Sequence, residues 1–207
     1  MWKDLYLKGK KTIVRDLKRE DIDKRLKWKP YPDPLYYHYN PPDLSNVEKE
    51  LWYLRKKEDP NLVYFSIDNL KGDLIGFLSL YKIDRKSKTS WMGIYLGYEY
   101  IDQGFGTDAL LTLMNYYFEE LGYEKLFLDV AALNKRAIRC YEKCGFKHLR
   151  TKFNLHDPRT RIDVFSNDRF KNVRKYFRKK GKDVLVQFEE MEMNREIWLN
   201  QKEIPNR

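Results

Sequence analysis

The chain reads as an α+β fold in which a mixed, mainly antiparallel central sheet is flanked by helices. From Asn61 to Glu99, three segments alternate with period two: NLVYFSIDN, LIGFLSLYKI and SWMGIYLGYE. Only short polar turns separate them, at Lys71-Gly72-Asp73 and around Lys86-Ser87-Lys88, which describes an antiparallel meander. Around this meander, segments with apolar residues at helical spacing alternate with further strands. The order is β-α-loop-α-β-β-β-α-β-α-β, followed by an insert and a last strand.

The segment KTIVRDLK alternates as a strand, and REDIDKRLKW after it sets Ile22 and Leu26 one helical turn apart. Residues 27–43 hold five prolines among Trp28, Tyr31, Tyr36, Tyr37 and Tyr39. Proline fixes φ and removes a donor, so this is a long loop, and long loops in compact domains are often functional. LSNVEKELWYLRKKE is an amphipathic helix with Ser45 as its cap and Val47, Leu51 and Leu54 on one face. After the meander, Leu110, Leu113, Met114, Tyr117 and Leu121 follow at helical spacing, and Gly122 ends that helix. KLFLDVAA is a buried strand, NKRAIRCYEKCG a helix closed by Gly145, and FKHLRTKFNL another strand. An insert at about 157–182 contains a basic helix from about Arg169 to Lys180, with Phe170, Val173 and Phe177 on one face; the strand DVLVQFEEMEM closes the order. No linker divides these 207 residues, so one domain over 1–207 is expected.

The formal charge of +10 asks for an anionic partner or a solvated basic surface. Much of it is local, because residues 169–182 carry eight basic residues and no acid. That run either stays solvated or docks RNA or a ribosomal surface. No apolar stretch approaches the roughly 20 residues that cross a bilayer, and the start lacks the apolar core of a signal peptide, so a cytoplasmic protein without membrane contact is expected. Cys140 and Cys144 are poor disulfide partners on one helical turn, and no paired His or Cys set suggests a metal.

Chemistry concentrates in two motifs. Gly104-Phe105-Gly106 joins a strand to a helix; it is either only a tight turn or a phosphate cradle, since glycines admit a close approach and the first amides of the helix are unpaired donors. The preceding meander excludes a Rossmann fingerprint, and the missing lysine excludes an NTPase loop. Residues 126–146, LFLDVAALNKRAIRCYEKCGF, resemble the later cofactor segment of the GNAT superfamily of acyl-coenzyme A N-acyltransferases, a strand followed by N-x-x-A-I-x-x-Y-x-x-x-G-F. Asn134, Ala137, Ile138, Tyr141, Gly145 and Phe146 match it, and the glycine turn is similar to the superfamily's R/Q-x-x-G-x-G/A turn. The resemblance covers about residues 11–155. TIVRDLKREDID and GFGTDAL look most like the branch that contains ribosomal-protein N-terminal acetyltransferases and spermidine acetyltransferases.

The resemblance implies a sheet splayed at its central strand and transfer of an acetyl group from acetyl-coenzyme A to a primary amine, with no metal. It places the cofactor against Ile94, Leu96, Gln103, Gly104, Phe105, Gly106, Thr107, Asn134 and Ala137, and makes Tyr141 the acid that protonates the leaving thiolate. Where the pattern has Arg or Gln, this chain has Ile101, so one side-chain contact to the pyrophosphate is missing. Many relatives carry a glutamate in the central strand where this chain has Trp91, which accepts no proton. Asp129, five residues before the motif asparagine, holds the place of the base in some relatives; as a strand carboxylate it is equally a structural acid. Trp28, Tyr31, Tyr37 and His38 would wall the amine site. The implied acceptor is a peptide N-terminus or small amine, since the basic chain suits polyamines poorly. A coenzyme A-binding pseudoenzyme and a nucleic-acid- or ribosome-associated protein are the rival readings, and monomer and dimer both stay open.

Overall fold

A computed structural model describes residues 2, 4–157, 160 and 162–203. The meander forms as expected: β3 (Leu62–Asn69), β4 (Leu74–Asp84) and β5 (Thr89–Leu96) pair antiparallel in turn. Asn69 builds the first turn, its side-chain oxygen accepting from the amides of Lys71 and Asp73, and Gly72 takes a φ of +87° that a side chain would resist. On the other edge, β2 (Thr12–Asp16) pairs with β3, and a short strand β1 (Tyr6–Lys8), absent from the sequence reading, pairs with β2.

Beyond β5 the sheet changes character. β6 (Lys125–Ala131) runs parallel to β5, but only Thr89–Trp91 pair with Lys125–Phe127. Among the described residues, β5 pairs from Met92 onward with β4 alone, so the sheet opens into a wedge, the splay that the resemblance implies. The last strand, β9 (Asp183–Asn194), inserts antiparallel between β6 and β7 (Lys147–Leu155). The sheet order is therefore β1-β2-β3-β4-β5-β6-β9-β7, a mainly antiparallel mixed sheet flanked by helices.

Helix α3 (Phe105–Asn115) lays Ala109, Leu110, Leu113 and Met114 against Phe65, Ile67, Leu78 and Leu80 of the sheet, all fully buried. At about 1.5–3 kcal/mol per buried side chain, this face is the main anchor of the helix. Its C-terminal end widens into a single π turn over Tyr116–Glu120 before Gly122. α1 (Glu20–Arg25) buries Ile22 as expected, and α4 (Lys135–Lys143) follows β6 directly. α5 (Arg195–Glu203), not expected from the sequence, seats Trp198 on Phe118, with the indole donating to Glu119.

Two expectations fail for tertiary reasons. α2 (Asn46–Glu58) starts at Ser45 with a full capping box to Glu48, yet Val47 (69 % exposed), Leu51 and Leu54 face solvent. Its inward contacts are instead Trp52 and Tyr53, which join Leu17, Leu74 and Phe77 in a satellite cluster; Arg25 and Lys56 lie over the Trp52 ring. One half-buried tryptophan, with its larger area and its cation–π partners, outweighs the smaller aliphatic stripe.

The basic helix at about 169–180 does not form. Asp168–Phe170 and Arg174–Tyr176 are short 3-10 turns, and Phe177–Lys180 is a strand, β8, hairpinned through Gly181 (φ +61°) onto the start of β9. Phe170 and Phe177 are buried with Leu35, Val164 and Val186, and Val173 packs against them. The apolar spacing was real, but the open edge of β9 supplied ladder partners that an isolated helix lacks. Pro158, Arg159 and Arg161 of the predicted insert lie outside the described residues.

Candidate active site

The wedge between β5 and β6 holds a cavity of about 730 Å³. One end is the glycine turn. Gly104 caps α3 in a left-handed conformation (φ +83°), and the amides of Phe105, Gly106 and Thr107 precede the first intrahelical bond, from Asp108 to Gly104. A side chain at 104 would press on the Lys11 ammonium, 3.3 Å from where its Cβ would stand, so glycine here keeps the turn open to a ligand.

The turn is braced from outside. Asp108 accepts four hydrogen bonds, from the amides of Lys10, Lys11 and Thr12 and from the Thr12 hydroxyl, at 2.7–3.0 Å. Its charge is thereby satisfied within the β1–β2 turn, and Lys11 is held over Gln103, donating to its carbonyl at 3.1 Å. Arg136, Arg139 and Lys143 of α4 also line the cavity, and Arg136 stands 3.8 Å from Asp102. A cation from α4 thus stands beside the turn whose own motif position is Ile101. This donor set fits a pyrophosphate, since hydrogen bonds to a charged group contribute about 1.5–3 kcal/mol each.

The motif asparagine has a plain structural task. Asn134, 5 % exposed, caps α4 by accepting from the Ala137 amide. Tyr141, two turns on, is buried and lines the cavity. Burial first, then the neighbouring Tyr39 and the cysteines, push its hydroxyl well above the ordinary range, so it remains a proton donor at any physiological pH. The Cys140 thiol, also on the cavity, is lowered by a hydrogen bond with Cys144 against the effect of burial.

Opposite lies an ionic group. Asp129 pairs with Lys152 at 3.0 Å; Lys152 also reaches Glu190 at 2.6 Å, and Glu190 takes Arg150 at 2.5 Å. Trp91, where the resemblance implies a glutamate in many relatives, packs tilted against Phe127 at 5.6 Å between ring centres, and the Lys152 ammonium lies 5.2 Å from its ring centre. Burial, with the charges of Asp129 and Glu190, pushes Tyr81 up to about 12. Along β5, the Leu96 carbonyl accepts from the Tyr31 hydroxyl at 2.8 Å, so it points into the wedge. The period of two turns the peptide groups of Ile94 the same way.

Of the residues expected from sequence, Tyr141, Asp129, Ile94, Leu96 and Asn134 line the cavity together with Gly104, Gly106, Thr107 and Ala137. Tyr31 and His38 line it as well. Four do not. Trp28 lies against Gly97, with its indole bonded to the Leu74 carbonyl, and packs under the loop; Tyr37 is half exposed. The Gln103 side chain turns back to the Glu99 carbonyl, and the Phe105 ring packs on the main core, so at those positions only main chain is offered to the turn. Sequence reasoning missed Arg136, Tyr81, His156 and Phe188. Only Arg136 left a signal, standing two residues after the motif asparagine. Tyr81 and Phe188 arrive from β4 and β9, and His156 from the segment just after β7.

Comparison with known proteins agrees with this geometry. The family model described as "Acetyltransferase (GNAT) domain" matches residues 11–147, about two thirds of the chain. A spermidine N(1)-acetyltransferase of Vibrio cholerae is 26% identical over 143 residues, covering 69% of this chain and 78% of that protein. One from Escherichia coli is 28% identical over 133 residues, covering 64% and 71%. The crystal structure of the Vibrio cholerae spermidine N-acetyltransferase in complex with CoA and spermine superposes with a TM-score of 0.65 at 21% identity, over 91% of this chain and 98% of that one.

Proposed function

This chain belongs to the acetyltransferase (GNAT) family, and we propose that it moves an acetyl group from acetyl-coenzyme A directly to a primary amine, a peptide N-terminus or small amine, bound in the same cavity. The observation that carries the reading is that Tyr141 and Asp129 line one cavity whose other end is a helix N-terminus beside Arg136. Bound acetyl-coenzyme A supplies the activated thioester. The amides at 104–107, with Arg136 and Lys11, hold its pyrophosphate, and the inward peptide groups of Ile94 and Leu96 hold the pantetheine arm and polarise the carbonyl.

An alkyl ammonium must lose a proton before its nitrogen can attack, and Asp129 takes it, directly or through a water. The C–N bond then forms and the C–S bond breaks. Tyr141 protonates the departing sulfur and recovers a proton from the newly acylated nitrogen, so one proton in all goes to solvent. Tyr31 and His38 wall the acceptor side.

The test is thiol release from acetyl-coenzyme A with a panel of amines. Tyr141→Phe is expected to lower kcat about 10²-fold with coenzyme A affinity retained. An unchanged kcat would remove Tyr141 from the reaction.

A further inference from the structure

The acceptor half of the cavity has an unusual roof. Leu35 of the 27–43 loop is buried with Val164, Phe170, Phe177 and Val186, a core separate from the main one, so the loop and the insert are packed as one body. β8 pairs with Asp183–Val186 of β9 just beyond the point where β6 stops at Ala131–Phe188, and thus continues the lane of β6 over the cavity. The inner surface is mainly apolar, with Leu35, Tyr36, Leu133, Leu155, Val186 and Phe188, and His156 and Asp157 also line the cavity.

Position along the sheet relates this surface to the chemistry. Asp129 is paired across the ladder with Glu190, and Ala131 with Phe188, so Phe188 stands two residues along the same face from the carboxylates, roughly 7 Å. That is the reach of a short alkyl chain. Charge argues in the same direction. Among the described residues, the acids lining this half are Asp129 and Asp157, and Asp129 already carries the Lys152 ammonium. A chain of several ammonium groups would find Asp129 already paired with Lys152 and, apart from Asp157, a mainly apolar lining beyond it. A single ammonium on an apolar body matches both.

We propose that Leu133, Val186 and Phe188, roofed by Leu35 and Tyr36, form a subsite for an aromatic or branched aliphatic substituent, and that the acceptor is a primary amine bearing one a short chain away from its nitrogen. This rests on the N-acetyltransferase reading above. Free arylalkylamines and peptides with a bulky apolar first residue share this chemistry.

The experiment compares kcat/KM for phenylethylamine, ethanolamine and spermidine, and for short peptides beginning with Phe or Gly. Phenylethylamine, or the Phe peptide if the natural source is a chain terminus, should exceed both ethanolamine and spermidine by about tenfold or more, the size expected for burying a ring. Phe188→Ala should lower the ratio of phenylethylamine to ethanolamine turnover about tenfold, chiefly through KM. Calorimetric titration of phenylethylamine onto protein saturated with coenzyme A should weaken by a similar factor. Leu133→Ser, outside the sheet, should move the same ratio and guards against a folding defect in the first variant. Preferred turnover of spermidine, or an equal loss for all amines in both variants, overturns the subsite while leaving acetyl transfer standing. Failure of every amine with a protein that binds coenzyme A overturns the transfer reading and the subsite with it.

Discussion

Two ionic clusters sit toward opposite ends of one sheet, each a cation between two carboxylates. In the first, Arg15 holds Asp21 and Asp68 in four hydrogen bonds of 2.6–2.9 Å and gives its fifth N–H to the Asp16 carbonyl. Ser66 and the Lys18 amide complete Asp21, which is fully buried. In the second, Lys152 spans Asp129 and Glu190, but Lys152 and Asp129 are each 28 % exposed at the side chain, and Asp129 lines the cavity. The first cluster is saturated and has nothing left for a ligand. The second is unsaturated, which is what the proposed role of Asp129 as proton acceptor requires of it.

The sharpest break of this comparison is Asp21→Ala, which leaves a buried guanidinium short of partners. It should lower stability by about 3–5 kcal/mol in urea unfolding, and a loss below about 1 kcal/mol would deny the cluster its structural weight. Asp129→Asn should do the reverse, lowering kcat roughly 10- to 100-fold with a stability change under about 1 kcal/mol; equal stability losses in both variants would erase the distinction.

Acid sharpens it further. Burial raises the Asp21 pKa, but hydrogen bonds from Arg15, Ser66 and Lys18 outweigh it and leave the carboxyl below its ordinary value. Its stabilisation is therefore present above about pH 4 and is lost as pH falls through the depressed folded value. The urea midpoint should drop more steeply below pH 4 in the wild type than in Asp21→Asn. The smallest effect is expected from Lys152→Met, under about 1 kcal/mol, because a partly exposed pair is screened by water.

Legibility followed the range of the interactions. The glycine turn and α4 could be read because their causes lie within a few residues: φ > 0 at Gly104, the Asn134 cap, and the α4 spacing that sends Tyr141 inward. Ile101 looked like a gap at the glycine turn, and Arg136, a position of α4 that the motif does not name, stands beside that turn in space. Trp28 and Tyr37 belonged to the right loop yet missed the cavity, because proline and aromatic content marks a loop without saying which ring turns inward.

By itself, the sequence determined the meander, the helical faces of α3 and α4, the glycine turn at the start of α3 and the inward place of Tyr141 on α4, since periodicity, capping and glycine conformation act locally. Tertiary structure alone decided that β9 would enter between β6 and β7, that the basic insert would hairpin onto it as β8, and that Asp129 would face Lys152. Those outcomes depend on which sheet edge is open and which side chains then meet across it, and such free energies exist only between segments distant in the chain.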